Sequence, residues 1–114
     1  MKNALFVFNG NPMCFIHVLL NALDMKARGM DARIILEGES VKLVPELAKP
    51  ESALNGLWLK ARAAGLVDGV CMACAKKLGT YDDAMSQGLA LLADMSGHAG
   101  IAAYRENGFT IITF

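Results

Sequence analysis

Three cysteines and two histidines are the side chains of this chain best suited to nucleophilic or metal-binding chemistry. They fall in three stretches: Cys14-Phe15-Ile16-His17, Cys71-Met72-Ala73-Cys74 and Gly97-His98-Ala99-Gly100. The middle stretch carries the most chemical content. A β-rich run, Val67 to Met72, leads into it, and a helix with Lys76 and Lys77 follows. A thiol at a strand end beside a helix N-terminus meets unpaired backbone N–H groups, which favour thiolate, the nucleophilic form. Cysteine is also commonly a small buried apolar residue, and the spacing alone leaves both roles open for Cys71 and Cys74.

The other stretches are weaker. Cys14-x-x-His17 and Cys71-x-x-Cys74 share a two-residue spacer, and four soft ligands would suit zinc if the first and third strands were neighbours. The apolar surroundings of Cys14 and the polar stripe containing His17 favour ordinary roles instead. A Cys-x-x-Cys before a helix is also the arrangement of dithiol oxidoreductases. Here no Trp precedes Cys71, and all three Pro precede residue 51. Asn9-Gly10-Asn11-Pro12 stands where phosphate loops stand but lacks Lys, Ser and Thr. Ser96 reads as the N-cap of a helix running to Asn107-Gly108, with Gly97, His98 and Gly100 in its first turn, where small residues would let a ligand approach. Glu37 and Glu39 read as solvated loop acids.

The elements that must position these groups alternate along the chain. Ala4–Phe8, Ala32–Leu36, Val67–Met72, Leu89–Ala93 and Phe109–Phe114 read as strands. Met13–Arg28 reads as a helix with His17, Asn21, Asp24 and Arg28 in one polar stripe. Val41–Ala48, a segment opened by Pro50-Glu51-Ser52, Cys74–Leu78 and Tyr81–Gln87 read as further helical pieces. Strands alternating with helices predict parallel βαβ units: one three-layer α/β/α domain over residues 1–114 with a mainly parallel five-stranded sheet.

Composition narrows the function classes. Eleven Lys+Arg balance eleven Asp+Glu, so no basic excess points to nucleic acid. Polar residues interrupt every apolar run, which excludes a membrane span. An odd cysteine count without a secretory pattern suggests a reducing, cytoplasmic setting. A chain that is 54% hydrophobic, with so narrow a wet face on its first helix, is expected to self-associate.

Val70-Cys71-Met72-Ala73-Cys74-Ala75-Lys76-Lys77-Leu78-Gly79 resembles the strand, cysteine, small residues, basic pair and glycine of the DsrE/DsrF-like family, which includes YchN-type and TusD-like sulfur-relay proteins. The ending Glu106-Asn107-Gly108-Phe109-Thr110-Ile111-Ile112-Thr113-Phe114, the opening strand, the Asn/Gly/Pro turn and the long first helix extend the resemblance over almost the whole chain. It implies a DsrE-like domain of Rossmann or flavodoxin type, a homo-oligomer (trimer or hexamer), and a persulfide carried on Cys71 without a cofactor. The partners implied are a sulfur donor or acceptor protein. Cys74 departs from the TusD-like pattern and reads as a resolving or accessory thiol. A carried persulfide must escape a nearby thiol. The expectation is therefore that Cys71 faces a cleft while Cys74 turns into the helix–sheet packing.

Overall fold

Burial on alternate sides explains the first strand, which lies inside the sheet. In the computed structural model, which describes residues 1–114, β1 (Lys2–Val7) buries Ala4, Leu5, Phe6 and Val7. Successive side chains point to opposite faces. Leu5 and Val7 join one hydrophobic cluster, and Ala4 and Phe6 join another. A run buried on both faces belongs inside a parallel sheet. β2 (Asp31–Leu36), β3 (Val67–Cys71), β4 (Leu91–Leu92) and β5 (Thr110–Thr113) complete a five-stranded, all-parallel sheet in the order β4-β3-β2-β1-β5. The α/β class and the parallel sheet agree with the sequence reading. The exposed threonines of β5 mark it as an edge strand, also as expected.

The two faces are covered unequally. α1 (Pro12–Ala27), α2 (Val44–Leu47), α3 (Asn55–Ala63), α4 (Met72–Lys77) and α5 (Tyr81–Ser86) supply a cluster of 21 buried residues with one face. The other face gathers only 6, beneath α6 (Ala102–Glu106) and the segment before it. On the thick side, Trp58 of α3 is buried, tilts against Phe15 of α1, and donates its indole N–H to Gln87 Oε1 at 3.1 Å. α1 starts where Asn11 Oδ1 accepts from the Met13 amide at 2.8 Å and Pro12 occupies the first turn, so the Asn/Gly/Pro stretch is a helix cap. Its predicted stripe of His17, Asn21, Asp24 and Arg28 is exposed.

Several boundaries differ from the sequence reading. The segment at 38–47 is a 3-10 turn, Gly38–Leu43, running into α2, because Pro45 is compatible with the first turn of a helix. α3 begins at Asn55 rather than at Pro50–Ser52. β4 is two residues long. Ser96 caps nothing. Residues 95–98 fold back on themselves, with Met95 N–H donating to His98 O at 2.9 Å and His98 N–H to Met95 O at 2.8 Å. Ser96 and Gly97 both have positive φ, 50° and 88°, as a primed two-residue turn demands. That turn consumes the amides a helix start would have used, and α6 begins only at Ala102. The first and third strands are not neighbours either. β2 lies between them, paired with β1 from Lys2↔Asp31 to Val7↔Leu36 and with β3 up to Leu36↔Val70.

β4 can close on β3 only at a glycine. A Cβ at Gly69 would collide with the Ala90 carbonyl oxygen. No helix is long and apolar enough to cross a membrane.

Candidate functional site

The strand ends decide what meets beyond the sheet. Leu36 and Val70 are opposite each other, so the next residues, Glu37 and Cys71, leave the sheet side by side. Cys71 is at once the last residue of β3 and the residue before α4, opposite Leu92 of β4. Cys74 follows one helical turn later. The chain leaving β4 then makes the tight turn at 95–98, and the Ala73 amide donates to the Gly97 carbonyl at 2.9 Å. That bond ties the turn to the start of α4 and brings His98 over the two thiols. His98 Nδ1 lies 3.3 Å from Cys71 Sγ and 3.6 Å from Cys74 Sγ. All three ligand-type atoms fit within 4.8 Å of one another.

The two cysteines are therefore together, with their exposures the reverse of the expectation. Cys71 is 0% exposed, packed into the smaller cluster that contains Ile35, Ala99 and Phe109. Cys74 and His98 are half-buried. Cys71 is covered because it is still a strand residue, under the segment that returns the chain to β5. Cys74 stands on a short helix at the rim.

Burial pushes the Cys74 thiol above its ordinary range, and its hydrogen bond with Cys71 pushes the same way. The Gly38 amide, facing the sulfur, opposes them. Cys74 thus holds its proton at neutral pH. An unprotonated Nδ1 accepts that S–H, whereas a protonated Nδ1 donates to a thiolate, so His98 can serve as the proton's partner in either direction. Glu37 is not a solvated loop acid. It is buried at 9% exposure, and that burial raises its carboxyl, with Asp94 adding and His98 opposing. Glu39 does remain exposed, paired with Lys42 at 2.6 Å. Lys76 lies over the Tyr81 ring instead of supporting the thiols.

The proposed convergence of Cys14, His17, Cys71 and Cys74 does not occur. Cys14 is half-buried and His17 exposed, both on α1, whose strand β1 is separated from β3 by β2. Sequence reasoning singled out His98 but gave it the wrong neighbours, and it missed Glu37. The signal for Glu37 was its place directly after a fully buried strand end, legible once β2 is known to border β3.

The opposite, amino end of the sheet holds the other polar cluster. Arg33 Nε and Nη1 reach Asp31 and Asp68 at 3.0 and 3.1 Å, and Tyr104 donates its hydroxyl to Asp68 Oδ2 at 2.6 Å. Its hydrogen bond to Arg33 holds the Asp31 carboxyl below the usual range, while burial and then the Asp68 bond push the Tyr104 phenol upward. Two open clefts of about 390 and 360 Å³ flank this network. Every charge in it already has a partner.

No family model matches the chain, and no solved structure matches it. An uncharacterized protein of Archaeoglobus fulgidus is 38% identical over 39 residues, covering 34% of this chain and 64% of that one. The uncharacterized protein MJ0733 of Methanocaldococcus jannaschii is 30% identical over 118 aligned positions, spanning 98% of this chain and 94% of its own length. With similarity running through nearly all of both sequences, this chain belongs to the same family as MJ0733.

Proposed function

We propose that the protein is a sulfur-transfer component of DsrE-like type, working through the Cys71–Cys74 dithiol. The observation that carries the reading is one imidazole nitrogen within 3.3 and 3.6 Å of two sulfurs. Half-exposed Cys74 meets the donor. With its proton passed to His98, the Cys74 thiolate attacks the outer sulfur of a donor persulfide, R–S–SH. The donor S–S bond breaks, R–S⁻ leaves and takes up a proton, and Cys74 becomes the persulfide. An acceptor thiolate can then take the same outer sulfur. In the absence of an acceptor, Cys71 attacks the inner sulfur, forming the Cys71–Cys74 disulfide and expelling HS⁻. In that step the sulfane sulfur is reduced by two electrons that the two thiols lose. Turnover from the disulfide then requires a thiol reductant, which a reducing cytoplasm supplies.

Proximity of the two sulfurs favours a second reading, a dithiol oxidoreductase using the same disulfide without sulfane chemistry. Mass spectrometry separates the two. Incubation of the reduced protein with a persulfide donor should add one sulfur at Cys74, followed by loss of two hydrogens and release of sulfide. Cys71→Ser should trap the adduct, Cys74→Ser should abolish it, and Cys14→Ser should change nothing. Disulfide formation with an organic disulfide as the sole oxidant, and no sulfide released from persulfide, would install the oxidoreductase. Native protein inert at both thiols would overturn both.

Self-association belongs to the same proposal, as a trimer or hexamer. Met13 and Leu20 on α1, at 73% and 46% exposure, are the apolar residues such contacts would cover. Sedimentation at micromolar concentration giving only a 12.2 kDa species would refute it.

A further inference from the structure

The carboxyl end of the sheet carries a second chemistry that needs no sulfur donor. The geometry points to a zinc site formed by Cys71 Sγ, Cys74 Sγ and His98 Nδ1, which leaves the fourth tetrahedral position to a non-protein ligand. It goes beyond the sulfur-transfer reading and stands without it.

The distances carry the argument. Zinc binds thiolate sulfur at about 2.3 Å and imidazole nitrogen at about 2.0–2.1 Å in a tetrahedron. Those lengths separate S and N by about 3.6 Å and two sulfurs by about 3.8 Å at tetrahedral angles. The observed S···N separations are 3.3 and 3.6 Å, and the whole triad spans no more than 4.8 Å. The same nitrogen faces both sulfurs, as a shared ion requires and as a single thiol–imidazole hydrogen bond does not. The two-residue spacer of Cys71 and Cys74 is also the spacing with which zinc sites commonly place two thiolates on one turn.

The surroundings favour a dication. Two thiolates cancel the charge of Zn²⁺, with two protons leaving the thiols as the ion binds. Glu37 lies close to His98 and Cys74, and none of the protein's ion pairs includes it. A monovalent soft ion would leave this half-buried place with surplus negative charge. The ligands are also pre-positioned. Cys71 is fixed by strand and core, and His98 by a turn bonded both across itself and to Ala73. Cys14 lies outside the site and serves as an internal control.

The test uses the reduced full-length protein, stripped with a chelator and titrated with Zn²⁺ against a chromophoric competitor. One equivalent per chain should bind. Co²⁺ in its place should give a thiolate-to-metal charge-transfer band with tetrahedral d–d intensity. Cys71→Ser and Cys74→Ser should each weaken binding by more than about 100-fold, the upper end of what losing an outer-shell partner costs. His98→Ala should cost at least about 10-fold, and Cys14→Ser nothing. Alkylation of the wild-type protein keeps the question open to a decision even if a variant misfolds: Zn²⁺ should shield the half-buried Cys74 but not Cys14. Substoichiometric binding by reduced wild type, a cobalt spectrum without the thiolate band, or unshielded Cys74 would overturn the site. Persulfide uptake is measured on zinc-free protein, so either chemistry can fail while the other survives.

Discussion

The two ends of one sheet hold the protein's two polar clusters, and they are built on opposite principles. At the amino end, Arg33, Asp31, Asp68 and Tyr104 satisfy one another at 2.6–3.1 Å, so the open clefts beside them face a closed circuit. At the carboxyl end, Cys71, Cys74, His98 and Glu37 gather without a single ion pair. The larger cavities thus mark the end with less chemistry to offer. Spare donor and acceptor capacity separates the ends better than volume does.

That contrast is sharpest where removing a residue should affect stability at one end and reactivity at the other. Asp68→Ala strips Arg33 and Tyr104 of a shared acceptor and should cost about 2 kcal/mol, the scale for hydrogen bonds to a charged group. Urea unfolding reads that loss, and the alkylation rate of Cys74 should stay within about twofold of wild type, since the sites share no residue. A change in thiol reactivity comparable to the stability loss would break the contrast.

His98→Ala should do the reverse. Alkylation of Cys74 at neutral pH should slow by roughly tenfold as the proton's acceptor is lost, a modest share of what a positioned base contributes. Because burial and Cys71 raise the Cys74 thiol, the wild-type rate should still be climbing above about pH 9.5, a unit past the ordinary value of about 8.5, where an ordinary thiol has levelled off. A plateau below that pH would remove the account of Cys74 as the proton-holding thiol.

Glu37→Gln should have the smallest effect. A carboxyl raised by burial binds its proton more tightly in the folded protein than in the unfolded chain. The stability it contributes is complete below the unfolded value and lost as pH rises through the folded one. The neutral amide should therefore stabilise the metal-free protein at about pH 7 and change little near pH 4. Denaturant melts at both pH values give the sign, and equal shifts at the two would refute the burial argument.

How much of this was legible beforehand follows from the range of the forces involved. The β1 run, the polar stripe of α1 and the parallel sheet are local consequences of hydrophobic pattern, and they read correctly. Cys71 and Cys74 are legible because they sit three residues apart on one strand–helix junction. His98 was placed in a helix because Ser96 is a good cap in isolation. The backbone bonds between Met95 and His98, and the anchor to Ala73, are tertiary and outweigh that preference. The burial of Glu37 depends on which strand borders β3, and local pattern is silent about strand order.

The glycine at position 69 links the edge of the sheet to the sulfurs. Because no side chain stands there, β4 can lie against β3, and the segment that leaves β4 ends at His98. The separation between imidazole and thiols is thus gauged partly by a vacancy in the backbone's own row, two residues before Cys71. A single methyl group at that point would act as a shim under the edge strand and move the imidazole out of range.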